Sequence, residues 1–260
     1  MAIDRSGYIT LPNINEFQPE FVAVVEDLVA ALSQRFPELV HSIYLYGSVA
    51  EGRAKIEKSD LDITIVFNSK PEQVAATQLT MIQCELKKDH PVVSKIDFDC
   101  GVLQQVLHSD NKFSWGYWLK HHCVCIYGED LRDRFHPFKP SKEIAVAVNG
   151  DFLQVIKELL VQMQSSPDKN TMLQLQRAAA RKAIRSTNIL RSKHDTDWPS
   201  TLEEYCIKFN TQYPAKAEIM DYLLATSYKP LGDVANFKNR IMAFVNWLNV
   251  KFHIEENQPS

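Results

Sequence analysis

From Ser42 to Phe67 the chain reads SIYLYGSVAEGRAKIEKSDLDITIVF, and no other stretch constrains the fold as much. An apolar run, Ile43 to Tyr46, stops at Gly47-Ser48. A polar segment follows, and Asp60-Leu61-Asp62 then opens a second apolar run through Ile63, Ile65, Val66 and Phe67. This pattern predicts strand, tight turn, short helix or loop, strand. Side chains two apart on a strand point the same way, so Asp60 and Asp62 leave the sheet on one face. Two carboxylates that close repel each other and are costly to keep ionised without a cation between them. Oxygen-only ligands with positions left open for phosphate and water suit Mg²⁺. Gly47 lets the backbone approach a ligand, and Ser48 adds a hydroxyl and an amide for a phosphate oxygen. A plain surface turn before an edge strand would leave unexplained why both acids share a face with that turn.

Gly47-Ser48, eleven intervening residues (49–59), then Asp60-Leu61-Asp62 between apolar neighbours resembles the signature of the DNA polymerase β nucleotidyltransferase superfamily. Within it the chain is similar to the bacterial antibiotic nucleotidyltransferases of the aminoglycoside type and their uncharacterised relatives. The resemblance implies an α+β fold, with a small mixed sheet carrying helices on one face, followed by an all-α helical bundle. It also implies Mg²⁺-dependent transfer of a nucleoside monophosphate from a nucleoside triphosphate to a hydroxyl of a small-molecule acceptor, releasing pyrophosphate. ATP, donating AMP, is the expected co-substrate. Only residues 47–62 carry specific motifs. There is one departure: relatives often have arginine two or three residues after the serine. Here Glu51 takes that region and Arg53 comes next but one, which bears on how triphosphate is held.

A third strand is expected in Val92 to Asp99, with acids at alternate positions. In the resembled superfamily a third carboxylate stands on a strand beside the Asp-x-Asp pair. Asp97, between Ile96 and Phe98, matches that place, and Asp99 on the same face is the fallback. The resemblance assigns Asp60, Asp62 and Asp97 to the metal, and Asp97 also to the attacking hydroxyl's proton. Gly47 and Ser48 are expected to cradle the triphosphate.

Around these strands, Pro19 to Phe36 reads as a helix with Phe21, Val24, Val25, Leu28, Val29 and Leu32 at i, i+3, i+4, i+7 spacing, and Pro19 suits its first turn. Pro71 to Lys88 is a second amphipathic helix, with Val74, Leu79, Ile82 and Leu86 inward, stopped by His90-Pro91. The aromatic run Lys112 to Lys120 is expected to anchor a helix to the sheet through Phe113, Trp118 and Leu119, rather than to line a pocket with Trp115 or Trp118. A last strand falls at Val124 to Tyr127, closed by Gly128. His121-His122-Cys123-Val-Cys125 lacks the spacing of a zinc site, and Cys123 to Tyr127 reads as a buried strand.

Pro137 and Pro140 mark a boundary, dividing the chain into a nucleotidyltransferase domain, 1–139, and a C-terminal helical domain, 140–260. Helices are expected near 142–164, 170–193, 200–210, 215–227 and 233–253. Ser200 and Glu203 form a candidate capping box, and the tail from Glu255 is expected to fray. Arg177, Arg181 and Arg185 share a helix face at i, i+4, i+8. By resemblance, this helix is where a helical domain folds back toward the triphosphate, and Lys182 and Arg185 are carried over as phosphate contacts. The acceptor is expected in the cleft between the two domains.

Composition excludes little else. The chain has 260 residues, 45% apolar and 23% charged, as in soluble globular proteins, and its net charge of −3 does not favour a nucleic-acid substrate. No run is long enough to cross a bilayer, and the N-terminus lacks a cationic segment followed by an apolar one, so the cytoplasm is the expected location. Five cysteines, odd in number, suit reduced and mostly buried thiols. Two other classes stay open: a nucleotide-binding regulatory module without turnover, and a toxin–antitoxin type enzyme modifying protein or RNA. Oligomeric state is not legible.

Overall fold

The computed structural model describes residues 2–12, 17–166 and 168–256. They form two compact units, Ile9–Phe138 as one and Met1–Tyr8 with Lys139–Ser260 as the other.

The first unit runs α1 (Pro19–Arg35), β1 (Val40–Tyr46), α2 (Gly47–Ala50), β2 (Leu61–Phe67), α3 (Gln73–Asp89), β3 (Ile96–Val102), α4 (Leu103–Val106), α5 (Tyr117–His122) and β4 (Val124–Gly128). The four strands make one mixed sheet in the order β3-β2-β1-β4. β1 is antiparallel to both β2 and β4, while β2 and β3 are parallel. A parallel pair needs a crossover, and α3 supplies it.

Strand alternation sorts the side chains onto two faces. Ile43, Leu45, Leu61, Ile63, Ile65 and Phe67 bury against Phe21, Val24, Leu28 and Leu32 of α1 and Leu79, Ile82 and Leu86 of α3. On the other face Tyr44 and Val66 are buried with Val106, Leu119, Cys123 and Leu131. Of the expected anchors, Leu119 is fully buried there and Trp118 packs against the same cluster, as does Trp115, whereas Phe113 meets Phe138 edge to face at 6.2 Å instead. Val74, expected inward, is 67% exposed, and Ala75 takes its place. The helix starts only at Gln73, so its buried stripe runs Ala75, Leu79, Ile82, Leu86. β3 begins at Ile96, not Val92, because Lys95 already gives its carbonyl to the Leu61 N–H while residues 91–94 turn.

His121 ties the two ends of this unit together. Its Nε2 accepts the Phe138 N–H at 3.0 Å, which leaves Nδ1–H to donate to the Thr10 carbonyl at 3.1 Å. The thiols are less uniformly buried than expected. Cys123 and Cys206 are buried, Cys125 is half-buried, and Cys84 and Cys100 are exposed; all five are free.

The second unit is helical: α6 (Lys142–Asn149), α7 (Phe152–Ser165), α8 (Lys169–Ser186), α9 (Leu202–Gln212), α10 (Ala217–Tyr228) and α11 (Val234–Glu256). Its core joins Ile156 and Leu160 to Ala179, Ala180 and Ala183 of α8, and to Phe209, Leu223, Phe237 and Phe244. The alanines present little bulk, so α7 and α10 lie close along α8. The expected helix 142–164 is broken in two at Gly150-Asp151. The helix expected to reach 193 ends at Ser186 and tightens into a 3₁₀ turn, Thr187–Leu190. Beyond that turn the buried Arg191 donates to the carbonyls of Asp195 (2.7 Å) and Asp197 (3.0 Å) and stacks over Trp198, closing a loop that precludes further helix. The expected cap at Ser200 is displaced by one residue. Thr201 accepts the Glu204 N–H, and the Glu204 carboxylate takes the Ser200 N–H in return. Pro167 and residues 257–260 of the expected frayed tail lie outside the described residues. No described helix is long and apolar enough to cross a membrane.

Candidate active site

The acids gather at one end of the sheet because parallel register places them there. Asp62 of β2 pairs with Asp97 of β3, and Thr64 pairs with Asp99 one step further in. Across the antiparallel side, Tyr46 pairs with Asp62. Tyr46, Asp62, Thr64, Asp97 and Asp99 therefore share a face, opposite to the one covered by α1 and α3.

Gly47 stands hard against this cluster. Its φ is +72°, a region that favours glycine, and a Cβ built there would collide with Oδ2 of Asp62. The residue that turns the chain from β1 into α2 thus also makes room for a carboxylate. Burial is the main force on Asp62, followed by the charges of Asp60, Asp97 and Asp99; together they push its pKa up to about 7.

The other three acids each have a protein donor. Asp60 accepts the Ser94 hydroxyl, Asp97 holds the Lys95 ammonium at 2.6 Å, and Asp99 accepts the Tyr46 hydroxyl at 2.5 Å. Burial and the neighbouring Asp99 hold the Tyr46 phenol far above its ordinary value, so it stays a proton donor. Tyr46 in turn meets Trp118 edge to face at 4.7 Å, and the Trp118 indole N–H donates to Thr64 at 3.1 Å. Among the described residues no three His, Cys, Asp or Glu side chains stand as a ready-made metal cage. The donor set is nonetheless one for a hard cation: carboxylate oxygens alone, around an acid on which burial and three like charges outweigh the single nearby ammonium of Lys95.

Sequence reasoning named Gly47, Ser48, Asp60, Asp62, Asp97 and Asp99, and all lie at this end of the sheet or the bend beside it. It missed Tyr46, Thr64, Ser94 and Lys95. The alternation Lys95-x-Asp97 was visible, but the register that sets Tyr46 against Asp62 was not. Glu51, noted as a departure, pairs with Arg53. In the helical unit, Lys182 donates to Asp151 at 2.6 Å and to the Val148 carbonyl at 3.2 Å, whereas Arg185 is exposed.

One mixed sheet thus carries two aspartates at the head of one strand, a third on its parallel neighbour and a glycine-serine bend beside them. Residues 25–122 match the family model described as nucleotidyltransferase domain. Among solved structures the fold is similar to spectinomycin adenyltransferase AAD(9) from Enterococcus faecialis, crystallised with ATP and spectinomycin. The TM-score is 0.57 and the identity 15%, over 89% of this chain and 98% of that one. No curated protein sequence matches the chain.

Proposed function

We propose that this enzyme moves a nucleoside monophosphate, AMP from ATP, to a hydroxyl of a small-molecule acceptor in a Mg²⁺-dependent reaction. The observation that carries the reading is Asp62: a half-buried carboxylate, flanked by Asp60 and Asp97, directly beside the Gly47 bend. Nucleotidyl transfer places anionic phosphate oxygens next to protein carboxylates, which repel them unless a cation intervenes.

Asp60, Asp62 and Asp97 would hold Mg²⁺, which when bound supplies positive charge to the phosphate oxygens. Gly47 lets the backbone come close to the triphosphate, and the Ser48 hydroxyl and amide hydrogen-bond its oxygens. The acceptor oxygen attacks the α-phosphorus, the bond from that phosphorus to the bridging oxygen breaks, and pyrophosphate leaves. The acceptor's proton passes to a carboxylate, for which Asp97 is proposed. Lys182 and Arg185 are proposed as phosphate contacts on the family resemblance alone. The ATP and spectinomycin of the Enterococcus structure support an ATP donor and a small-molecule acceptor.

The test is incubation with ATP, Mg²⁺ and a panel of hydroxylated small molecules, followed by pyrophosphate release. Acceptor-dependent release that EDTA abolishes is the expected result. ATP binding with no release for any acceptor would instead favour a regulatory module, and labelling of a macromolecule in lysate would favour a macromolecular substrate.

A further inference from the structure

The two acids on either side of Asp62 are engaged by two consecutive residues. Ser94 sends its hydroxyl to Oδ1 of Asp60, and Lys95 sends its ammonium to Oδ1 of Asp97 at 2.6 Å. This dipeptide is not a loose loop. The Ser94 N–H donates to the Ser59 carbonyl at 2.9 Å, and the Lys95 carbonyl accepts the Leu61 N–H at 2.8 Å. Residues 94 and 95 are thereby laced to residues 59 and 61, the two neighbours of Asp60, at the point where β2 and β3 begin to pair. The backbone of both residues is held beside the acids.

We propose that Ser94 and Lys95 are positioning residues that occupy the oxygens of Asp60 and Asp97 and compete for them with a divalent cation, so that Lys95 sets the metal affinity of the site. The proposal rests on the metal reading of the three acids given above. The Lys95 ammonium is one positive charge on a flexible stem, with its side chain 56% exposed against 37% for Asp97. A pair this exposed is weak enough to open. A divalent cation offers twice the charge and takes oxygens from several carboxylates at once, so it displaces the ammonium, but only after the ion pair is broken. Lys95 thus preserves the order of the acids while holding metal affinity below what the three carboxylates would otherwise give.

Mn²⁺ serves as the probe, titrated into full-length, nucleotide-free protein by calorimetry or by the paramagnetic resonance of the free ion. Lys95→Met keeps the methylene stem and removes the charge, and the exposed position poses no folding hazard. The expected result is that Lys95→Met tightens Mn²⁺ binding by about fivefold, the factor matching a surface ion pair at the upper end of its range. Ser94→Ala should tighten it by less. Mn²⁺ affinity in Lys95→Met equal to or weaker than wild type overturns the proposal, including the case where only ATP affinity falls and Lys95 is a phosphate contact instead. Asp62→Asn separates the two layers. If that variant binds Mn²⁺ as wild type does, the metal reading itself is wrong and the competition falls with it; if Asp62→Asn loses binding while Lys95→Met is unchanged, only the competition fails.

Discussion

Asp62 on β2 and Asp97 on β3 are register partners across a parallel strand pair, so their carboxylates leave neighbouring strands on the same side of the sheet. Nothing in the local chain near either residue requires this. It follows from the crossover through α3, which returns the chain alongside β2 in the same direction. The consequence is a concentration of negative charge at one end of an otherwise apolar sheet.

That concentration has a measurable pH signature. The Asp62 carboxyl, raised to about 7, binds a proton in the folded state that the unfolded chain has already released. Its contribution to stability is therefore present below the ordinary carboxylate range and lost as pH rises through about 7. The thermal midpoint of wild type should fall relative to Asp62→Asn, in which this dependence is absent, as pH rises from about 4 to about 7, and level off above that. Two parallel curves over that interval would show that Asp62 is not held in its neutral form.

The same substitution should remove activity without harming the fold. Asp62→Asn takes away a ligand for the proposed cation and relieves repulsion with Asp60 and Asp97, so transfer should drop on the order of 10²- to 10³-fold. The midpoint at pH 8 should match or exceed wild type. A marked loss of folding would make the acid structural.

Gly47→Ala tests the bend. A positive φ costs a non-glycine residue about 1–2 kcal/mol, and here the new methyl also meets the Asp62 carboxylate. Urea denaturation should show at least that loss, together with weaker nucleotide binding. An unchanged midpoint would mean that the backbone relaxes freely at this position.

His121 is the clip for the ends of the sheet unit, and it works as the neutral ring. Burial holds its pKa below the ordinary histidine value, so its contribution to stability is complete above about pH 6.5 and is lost as pH falls toward the lowered value. Protonation would also aim an N–H at the Phe138 N–H, which now donates to Nε2. His121→Ala should cost about 1–3 kcal/mol at pH 7.5, the range for a buried donor left without its acceptor. The gap to wild type should narrow at pH 5.

Trp118→Phe keeps a ring against Tyr46 but removes the indole N–H that donates to Thr64. The expected cost is about 1 kcal/mol. If the tie to Thr64 serves only to anchor the helix, the catalytic rate should stay near wild type while the denaturant midpoint shifts.

What was legible in the chain were the features whose signal is local. The Gly47-Ser48 bend followed by Asp60-x-Asp62 on an apolar run reports itself, because a strand has a period of two and a carboxylate pair on one face needs a reason. The α1 stripe from Phe21 to Leu32 was equally clear, since burial repeats every three to four residues. Where two local readings were nearly equal in energy, the packing chose between them. Val74 was displaced from the core by a helix start two residues later, and the break at Gly150 split a stretch whose periodicity suggested one helix.

By itself, the sequence determined the strand–bend–strand unit, the acids that head β2 and the helical character of the second half, because backbone preference and hydrophobic period act over a few residues. Only the tertiary structure decided which donors those acids meet: Ser94 on Asp60, Lys95 on Asp97 and Tyr46 on Asp99. Those partners lie on neighbouring strands and turns, and hydrogen bonds form only over a few ångströms. Which side chains come that close depends on strand order and register, which no stretch of chain contains on its own.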